Sequence, residues 1–257
     1  MIKVRGIEIG SGLPKICVPL AGSTPREMLE EAAGAKEMPC DILEIRADFM
    51  LPAEYLNIGK MSGLIDDIHE ETGLPVIYTV RTVVEGGWSS VLERREYLDY
   101  IRSIAAGTQA DIIDCEAFNG DEEYEPERIS LLCDMVRKEG KYTILSSHDF
   151  SDTIPLEELV RKYCAMDTMK GDILKIAVTP RKAEDVYTLL EAARIFHREY
   201  SKTPIVAISM GETGQTSRVC GGEFGSVITF AAGVKGTAPG QMEAGKLKQA
   251  LDEYYRK

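Results

Sequence analysis

Short apolar runs alternate along the chain with longer segments in which apolar residues recur at helical spacing. Eight runs have the length of a buried strand, at residues 15–21, 41–48, 75–81, 110–116, 142–149, 173–178, 204–210 and 226–232. Most begin roughly thirty residues after the previous run, which is the repeat of a β/α unit. The pattern therefore predicts a parallel sheet of eight strands with helices packed outside it.

Local signals mark the ends of several of these elements. Thr24 can cap a helix, Pro25 suits its first turn, and Glu27 can complete a capping box. Other helices are predicted at residues 92–106, at 126–140, after Thr179-Pro180 and over 241–257. Gly6 and Gly10 mark turns, so a short β-hairpin is expected ahead of the first unit.

The polar residues within the strand runs distinguish an open sheet from a closed barrel. Residues two apart share one face of a strand, and this pairs Glu44 with Arg46, Thr79 with Arg81, Asp114 with Glu116, and Ser146 with His148. An open sheet covered by helices on both faces would bury such rows at high cost. In a barrel they face the lumen, near its open C-terminal mouth. We therefore predict an α/β fold, a (β/α)8 TIM barrel with a short N-terminal β-hairpin, as one domain over residues 1–257.

Composition narrows the class of protein. The 257 residues include 30 Lys+Arg and 42 Asp+Glu, a net charge of −12, so the chain lacks the basic surface that binds nucleic acid. No apolar run approaches the length of a membrane span, and the first residues lack the apolar core of a signal peptide. The six cysteines form no CxxC pair, which favours reduced thiols. We expect a cytoplasmic protein without nucleic-acid or membrane partners.

Lys175 lies in the middle of the apolar run "ILKIAV", where an unpaired ammonium is costly. In a barrel lumen its amine would be poorly solvated, and positive potential would come from Arg46, Arg81 and Arg218. Both effects favour the neutral amine, which can attack a carbonyl group and form a Schiff base. The alternative is a lysine that is ion-paired inside the barrel with Glu44 or Asp114.

His148 ends an apolar strand run with lumen parity and could transfer protons near neutral pH. Glu85, in the loop after Arg81, could hydrogen-bond that ring and fix its tautomer. The alternatives are a core histidine bonded to backbone and a solvated loop acid. His69 and His197 fall in helical segments and are expected to be solvated. There is no HxH or HExxH, so no metal site is expected.

Six motifs now stand in order along the chain: "EIRAD", "RTVVEGG", "SSHDF", "DILKIAV", "SMGETGQTSR" and "GTAPGQ". Together they closely resemble type I 3-dehydroquinate dehydratase, the Schiff-base enzyme of the shikimate pathway. The resemblance extends from Ile2 to about Glu253. It implies a hydro-lyase that converts 3-dehydroquinate to 3-dehydroshikimate by syn elimination of water, on the barrel fold predicted above.

The resemblance also implies roles for individual residues. Lys175 is similar to the imine-forming lysine, His148 to the group that moves the protons, and Glu85 to the partner that orients His148. Arg218 resembles the clamp for the substrate carboxylate, which a guanidinium can grip with two parallel hydrogen bonds. Further substrate contacts are implied for Glu44, Arg46, Arg81, Thr237 and Gln241. Thr237 stands where many members carry serine, and the hydroxyl group is retained.

The resemblance further implies a homodimer, 3-dehydroquinate as the small-molecule partner, and no cofactor. The loop at residues 233–240 is rich in glycine and proline and is expected to act as a lid over the substrate. Two other classes remain open. A Schiff-base class I aldolase would share Lys175 but cleave a carbon–carbon bond. A non-catalytic barrel would lack some members of the Lys175, His148 and Glu85 set.

Overall fold

The computed structural model describes residues 1–118, 125–234 and 236–256. Within these ranges the chain forms a two-stranded hairpin followed by eight further strands. The hairpin consists of β1 (Ile2–Val4) and β2 (Ile7–Ile9). The remaining strands are β3 (Lys15–Leu20), β4 (Ile42–Arg46), β5 (Val76–Thr79), β6 (Ile112–Glu116), β7 (Tyr142–Asp149), β8 (Ile173–Val178), β9 (Ile205–Ser209) and β10 (Ile228–Phe230).

These eight strands form one parallel sheet in the order β10-β3-β4-β5-β6-β7-β8-β9. The two edges meet where Ile205 forms a parallel bridge with Ser226. There the Val227 amide donates to the Ile205 carbonyl at 2.8 Å. The sheet is thus closed on itself. The predicted (β/α)8 barrel with an N-terminal hairpin is confirmed.

Helices follow the strands and pack on the outside of the barrel. In the described part of the chain they are α1 (Pro25–Ala35), α2 (Pro52–Tyr55), α3 (Ile58–Thr72), α4 (Arg94–Gly107), α5 (Pro126–Lys138), α6 (Leu156–Thr168), α7 (Ala183–Ile195), α8 (Gln215–Cys220) and α9 (Ala244–Tyr255). Outward-facing strand residues such as Leu43, Tyr78, Ile113 and Leu174 are buried against them. This outer layer is the main apolar core.

The lumen is divided into an apolar lower part and a polar upper part. Near the amino ends of the strands, a separate apolar cluster fills the barrel, with members that include Ile42, Ile77, Ile112, Ile144, Ile173 and Ile228. The hairpin residues Ile2, Val4 and Ile9 belong to the same cluster. The hairpin therefore closes the amino end of the barrel, and the polar part of the lumen lies toward the carboxyl ends of the strands.

Most predicted helices form, but two begin later than expected. Thr24 caps α1 by accepting from the Glu27 amide at 3.2 Å, whereas the Glu27 carboxylate bonds Ser23. α7 begins at Ala183, not at Thr179-Pro180, because the Thr179 hydroxyl donates to the Asp149 carbonyl and holds that segment in the preceding loop. The last helix begins at Ala244 and leaves residue 241 in a loop.

The prediction that His69 and His197 are solvated is wrong. His69 Nε2 lies 2.9 Å from Asp111 Oδ2, and its Nδ1 lies 3.0 Å from an Arg5 guanidinium nitrogen. His197 is half-buried, and burial lowers its pKa. Both residues lie on helix faces that contact other elements. The helical pattern of their segments could not reveal this. All six cysteines are free thiols.

Candidate active site

A single cavity at the carboxyl ends of the strands collects every residue that the sequence nominated. It encloses about 520 Å³ of space, part of it open to solvent. Its lining includes Glu44, Arg46, Arg81, Glu85, His148, Lys175, Arg218, Thr237 and Gln241. They come from strands β4, β7 and β8, from the loop after β5, from helix α8 and from the loop after β10. Barrel closure is what brings them together.

Lys175 lies in the middle of β8, and its side chain points into the lumen with 5% of the residue exposed. Its Nζ lies 3.9 Å from Glu44 Oε1 and 4.3 Å from the centre of the Phe230 ring. The Glu44 oxygen also accepts a hydrogen bond from Thr79 Oγ1 at 2.9 Å. The separation of 3.9 Å makes the Lys175–Glu44 ion pair a long one. The other partner considered, Asp114, is bonded to Arg81 instead.

His148 and Glu85 form a buried pair on the neighbouring wall. His148 Nδ1 lies 2.9 Å from Glu85 Oε2. Burial, followed by the positive charges of Arg81, Lys175 and Arg46, lowers the pKa of His148 well below its usual value. A neutral ring that donates Nδ1–H to Glu85 keeps Nε2 as a proton acceptor. The predicted contact between these two residues is confirmed.

Arg81 is the hub of a buried charge network just beyond β5. Its guanidinium donates to Asp114 at 2.8 Å, to Glu116 at 3.0 Å and to Glu85 at 3.4 Å. Burial alone would lower the pKa of Arg81, but these carboxylates outweigh it and raise that pKa. Burial and the nearby Glu116 charge raise the pKa of Glu85. The network leaves Arg81 with few free donors and fixes it in one orientation.

Arg46 is held by a second acid. Two of its guanidinium nitrogens donate to the two carboxylate oxygens of Asp48 at 2.9 Å and 2.8 Å. The guanidinium also lies 5.0 Å from the centre of the Phe49 ring. Asp48 accepts two further bonds, from the Arg81 and Trp88 amides. This carboxylate therefore links Arg46 to the loop that carries Glu85.

Arg218 differs from the other two arginines because no acid within the described residues neutralises it. Its guanidinium donates to the Phe230 carbonyl at 3.1 Å and to the Pro239 carbonyl at 3.2 Å. Burial lowers the pKa of Arg218 to about 10, so the group stays charged at neutral pH. A buried cation that meets only carbonyl oxygens favours the arrival of an anion.

Gln241 organises its own loop. Its Oε1 accepts from the Thr237 amide at 2.7 Å and from the Ala238 amide at 3.2 Å, while Nε2 donates to Thr237 Oγ1 at 3.1 Å. The Gly211 amide donates to the Pro239 carbonyl, which ties this loop to the one after β9. Thr237 and Gln241 thus face the cavity as one rigid unit. Lys235 of the predicted lid lies outside the described residues.

Several residues of the site were absent from the predicted set. Glu116 and Asp114 had the parity of lumen residues, so the alternation within "DIIDCE" was a signal for both. Phe230 had no such signal, because its contact with Lys175 runs from β10 to β8, two strands that are not neighbours in the sheet. Asp48 shares the strand parity of Glu44 and Arg46, but its bonds to the Arg81 and Trp88 amides depend on the path of a distant loop.

Two features of the described residues concern metal binding and membrane insertion. No cluster of three or more His, Cys, Asp or Glu side chains there is arranged to hold a metal ion. None of the helices in that part of the chain is both long enough and apolar enough to cross a membrane.

A sequence profile described as "Type I 3-dehydroquinase" matches residues 16–257. The chain belongs to this family. It is 37% identical to the 3-dehydroquinate dehydratase of Clostridium novyi over 98% of this chain and 96% of that protein. It is 38% identical to the one from Alkaliphilus oremlandii, with the same coverage.

Solved structures of the type I 3-dehydroquinase family have the same fold. A type I 3-dehydroquinate dehydratase from Clostridium difficile, with covalently modified comenic acid, superposes with a TM-score of 0.89 at 34% identity, covering 99% of this chain and 97% of that one. The enzyme from Enterococcus faecalis gives 0.88 at 31% identity, covering 99% of both chains. The prediction of a 3-dehydroquinate dehydratase, a hydro-lyase, is confirmed, and nothing in these comparisons favours the aldolase.

Proposed function

We propose that the protein dehydrates 3-dehydroquinate to 3-dehydroshikimate through an imine on Lys175. Membership of the type I 3-dehydroquinase family supports the reaction. The position of Lys175 supports the route, because one cavity holds a buried amine, a histidine–glutamate pair and an arginine that has no acidic partner among the described residues. That combination is the single observation that carries the proposal.

In the first stage the neutral Lys175 amine attacks the C3 ketone of the substrate. Loss of water gives a cationic imine, which withdraws electrons from C2 and makes its proton acidic. The Phe230 ring face, 4.3 Å from Nζ, and the Glu44 carboxylate, 3.9 Å away, stabilise positive charge at this position. These two groups therefore favour the imine once it has formed.

In the second stage His148 moves two protons. Its Nε2 takes the C2 proton to give an enamine and a protonated ring, whose charge the Glu85 carboxylate stabilises across the 2.9 Å contact. The ring then protonates the C1 hydroxyl as it leaves as water. One group can serve both steps because a syn elimination places the proton and the hydroxyl on the same side of the substrate ring. Water then hydrolyses the imine and frees Lys175.

Substrate recognition follows the distribution of charge in the cavity. Arg218 is the proposed partner of the substrate carboxylate, because its charge has no acidic partner in the described chain. Glu44, Arg46 and Arg81 are proposed to contact hydroxyl groups. Thr237 and Gln241 form the wall beside Arg218, and the loop at residues 233–240, which contains Thr237 and leads to Gln241, is the proposed lid.

Reduction with borohydride during turnover tests the imine. With 3-dehydroquinate present, peptide mapping is expected to find a substrate-derived mass on the peptide that contains Lys175 and on no other lysine peptide. Lys175→Ala and the shape-preserving Lys175→Met are expected to lose both the adduct and turnover. An adduct elsewhere, or turnover by the methionine variant, would contradict the proposal.

A second variant separates imine formation from proton transfer. His148→Ala leaves the Lys175 amine in place, so the reduced adduct is expected to form. Its kcat should fall by about 100- to 10,000-fold, the usual contribution of a general acid–base group. Normal turnover by this variant, measured as formation of the enone chromophore, would remove His148 from the mechanism.

Assembly, location and domain organisation are proposed on the same basis. The family resemblance supports a homodimer, which light scattering coupled to size-exclusion chromatography would detect. The six free thiols support a reducing cytoplasm as the location. A single domain over residues 1–257 is supported by the one closed sheet and predicts one cooperative unfolding transition.

A further inference from the structure

We infer that Glu116 is a positioning residue that acts through Thr82 to hold Glu85 against His148. This inference rests on the proposed function, because it concerns the proton-transfer pair rather than the imine. Glu116 ends β6 on the lumen side, with 1% of the residue exposed. It belongs to the site, yet its carboxylate is directed at the chain that leads into the Glu85 loop.

The carboxylate of Glu116 grips Thr82 with both oxygens. Oε1 accepts from the Thr82 amide and Oε2 accepts from the Thr82 hydroxyl, each at 2.8 Å. Oε1 also accepts from Arg81 at 3.0 Å. Burial raises the pKa of Glu116, and the charge of Arg81 and the two Thr82 donors oppose that rise. A buried carboxylate with several donors on one residue fixes that residue in place.

Thr82 in turn anchors the tight turn that ends at Glu85. Its carbonyl accepts from the Glu85 amide at 3.2 Å and from the Gly87 amide at 2.7 Å. The turn spans Val83–Glu85, and Gly86 follows in the left-handed conformation with φ of 78°. Few residues separate Thr82 from Glu85, so a shift of Thr82 moves the Glu85 carboxylate.

Glu116 is itself fixed by helix α4. Its amide donates to Tyr97 Oη at 3.0 Å, and Arg94 donates to its carbonyl at 3.0 Å. Both side chains are buried on the helix face that packs against the barrel. The chain of contacts therefore runs from a rigid outer helix through Glu116 and Thr82 to the pair at the reaction centre. Every link is a hydrogen bond between described residues.

The test compares Thr82→Val with Thr82→Ser. Valine keeps the shape of threonine but removes the hydroxyl donor, whereas serine keeps the donor. For Thr82→Val, kcat is expected to fall by roughly ten- to a hundredfold, as for a small displacement of a catalytic group. KM should stay close to the wild-type value. Thr82→Ser is expected to restore most of kcat.

Two further measurements separate positioning from general stability. With substrate deuterated at C2, the isotope effect on kcat should rise in Thr82→Val, because proton abstraction becomes slower. The matched control is Thr108→Val, since the buried Thr108 hydroxyl donates to the Ile104 carbonyl at the end of α4, ahead of β6. This control should lower the melting temperature and leave kcat and the isotope effect unchanged.

Glu116→Gln tests the other partner. Glu116→Gln should also lower kcat. The double variant Glu116→Gln/Thr82→Val should be no slower than the slower single variant, because both substitutions remove the same Glu116–Thr82 contact. Wild-type kcat in Thr82→Val, equal rates for the valine and serine variants, or multiplicative losses would overturn the inference. The borohydride adduct on Lys175 should form in all these variants, and its absence in the wild type would instead refute the proposed function.

Discussion

At the scale of single residues, the site is organised by how each buried arginine is neutralised. Arg81 donates hydrogen bonds to three carboxylates, and Arg46 forms a bidentate ion pair with one. Both guanidinium groups are therefore held in position before substrate binds. Among the residues that the structure describes, Arg218 donates only to carbonyl oxygens. Since an unpaired buried charge is costly, the site is most strongly attractive to an anion beside Arg218. This asymmetry sets the orientation proposed for the substrate.

The charge of Glu85 is expected to govern the pH dependence of the reaction. Glu85→Gln preserves shape but removes the anion that stabilises protonated His148, so the pKa of His148 should fall further. The basic form would then persist to lower pH, and the acidic limb of the kcat/KM profile should move down by about one pH unit or more. Unchanged limbs would mean that Glu85 is already uncharged in the working range.

At the scale of elements, the turn after β5 depends on glycine for close backbone approach. A Cβ on Gly87 would lie 2.1 Å from the Arg81 carbonyl oxygen, which belongs to backbone and cannot rotate away. Ser89 closes the base of this turn through its amide, which donates to the same carbonyl at 3.2 Å. The position of Glu85 is therefore built into the backbone path as well as its hydrogen bonds.

Gly87→Ala is expected to displace this turn. The clash should destabilise the protein by about 1–3 kcal/mol and lower kcat, because Glu85 moves with the backbone. Chemical denaturation and steady-state kinetics measure the two effects.

The control for that experiment is Gly63→Ala in helix α3, where an added Cβ meets nothing within 4 Å. It should stabilise the protein by about 0.5–1 kcal/mol, since alanine is the better helix former. Its kcat should not change. Wild-type activity and stability in Gly87→Ala would contradict the close approach described for this turn.

At the scale of the whole molecule, stability and chemistry are placed at opposite ends of the barrel. The amino ends of the strands are closed by isoleucines and by the hairpin. The carboxyl ends carry the charged cavity. The apolar layer beneath Lys175 separates the cavity from the amino ends of the strands.

Truncation of the hairpin plug should separate the two ends experimentally. Ile9→Ala removes a fully buried side chain and should cost about 2–5 kcal/mol of unfolding free energy. Turnover per folded molecule should stay at the wild-type level, because the cavity lies at the other end. Leu131→Ala, at a side chain that is 69% exposed, should change stability by no more than about 0.5 kcal/mol. A large loss of kcat in Ile9→Ala would show that the ends are coupled.

The sequence by itself determined the number of strands, the closed barrel and which strand residues face the lumen. These follow from local periodicity: the β/α repeat counts the units, and the alternation of a strand assigns each side chain to a face. Glu44, Arg46, His148 and Lys175 were found in this way. The sequence suggested the contact between Glu85 and His148 but did not require it, because Glu85 lies in a loop, where no periodic pattern assigns a side chain to a face.

Only the tertiary structure decided which distant residues meet. The grip of Glu116 on Thr82, the bond from the Trp88 amide to Asp48 and the half-buried state of His69 all depend on strand register and loop path. Neither quantity is encoded in a short window of sequence, since each results from packing the whole barrel. The local sequence pattern therefore predicts which chemical groups face the lumen, and closure of the barrel determines the distances between them.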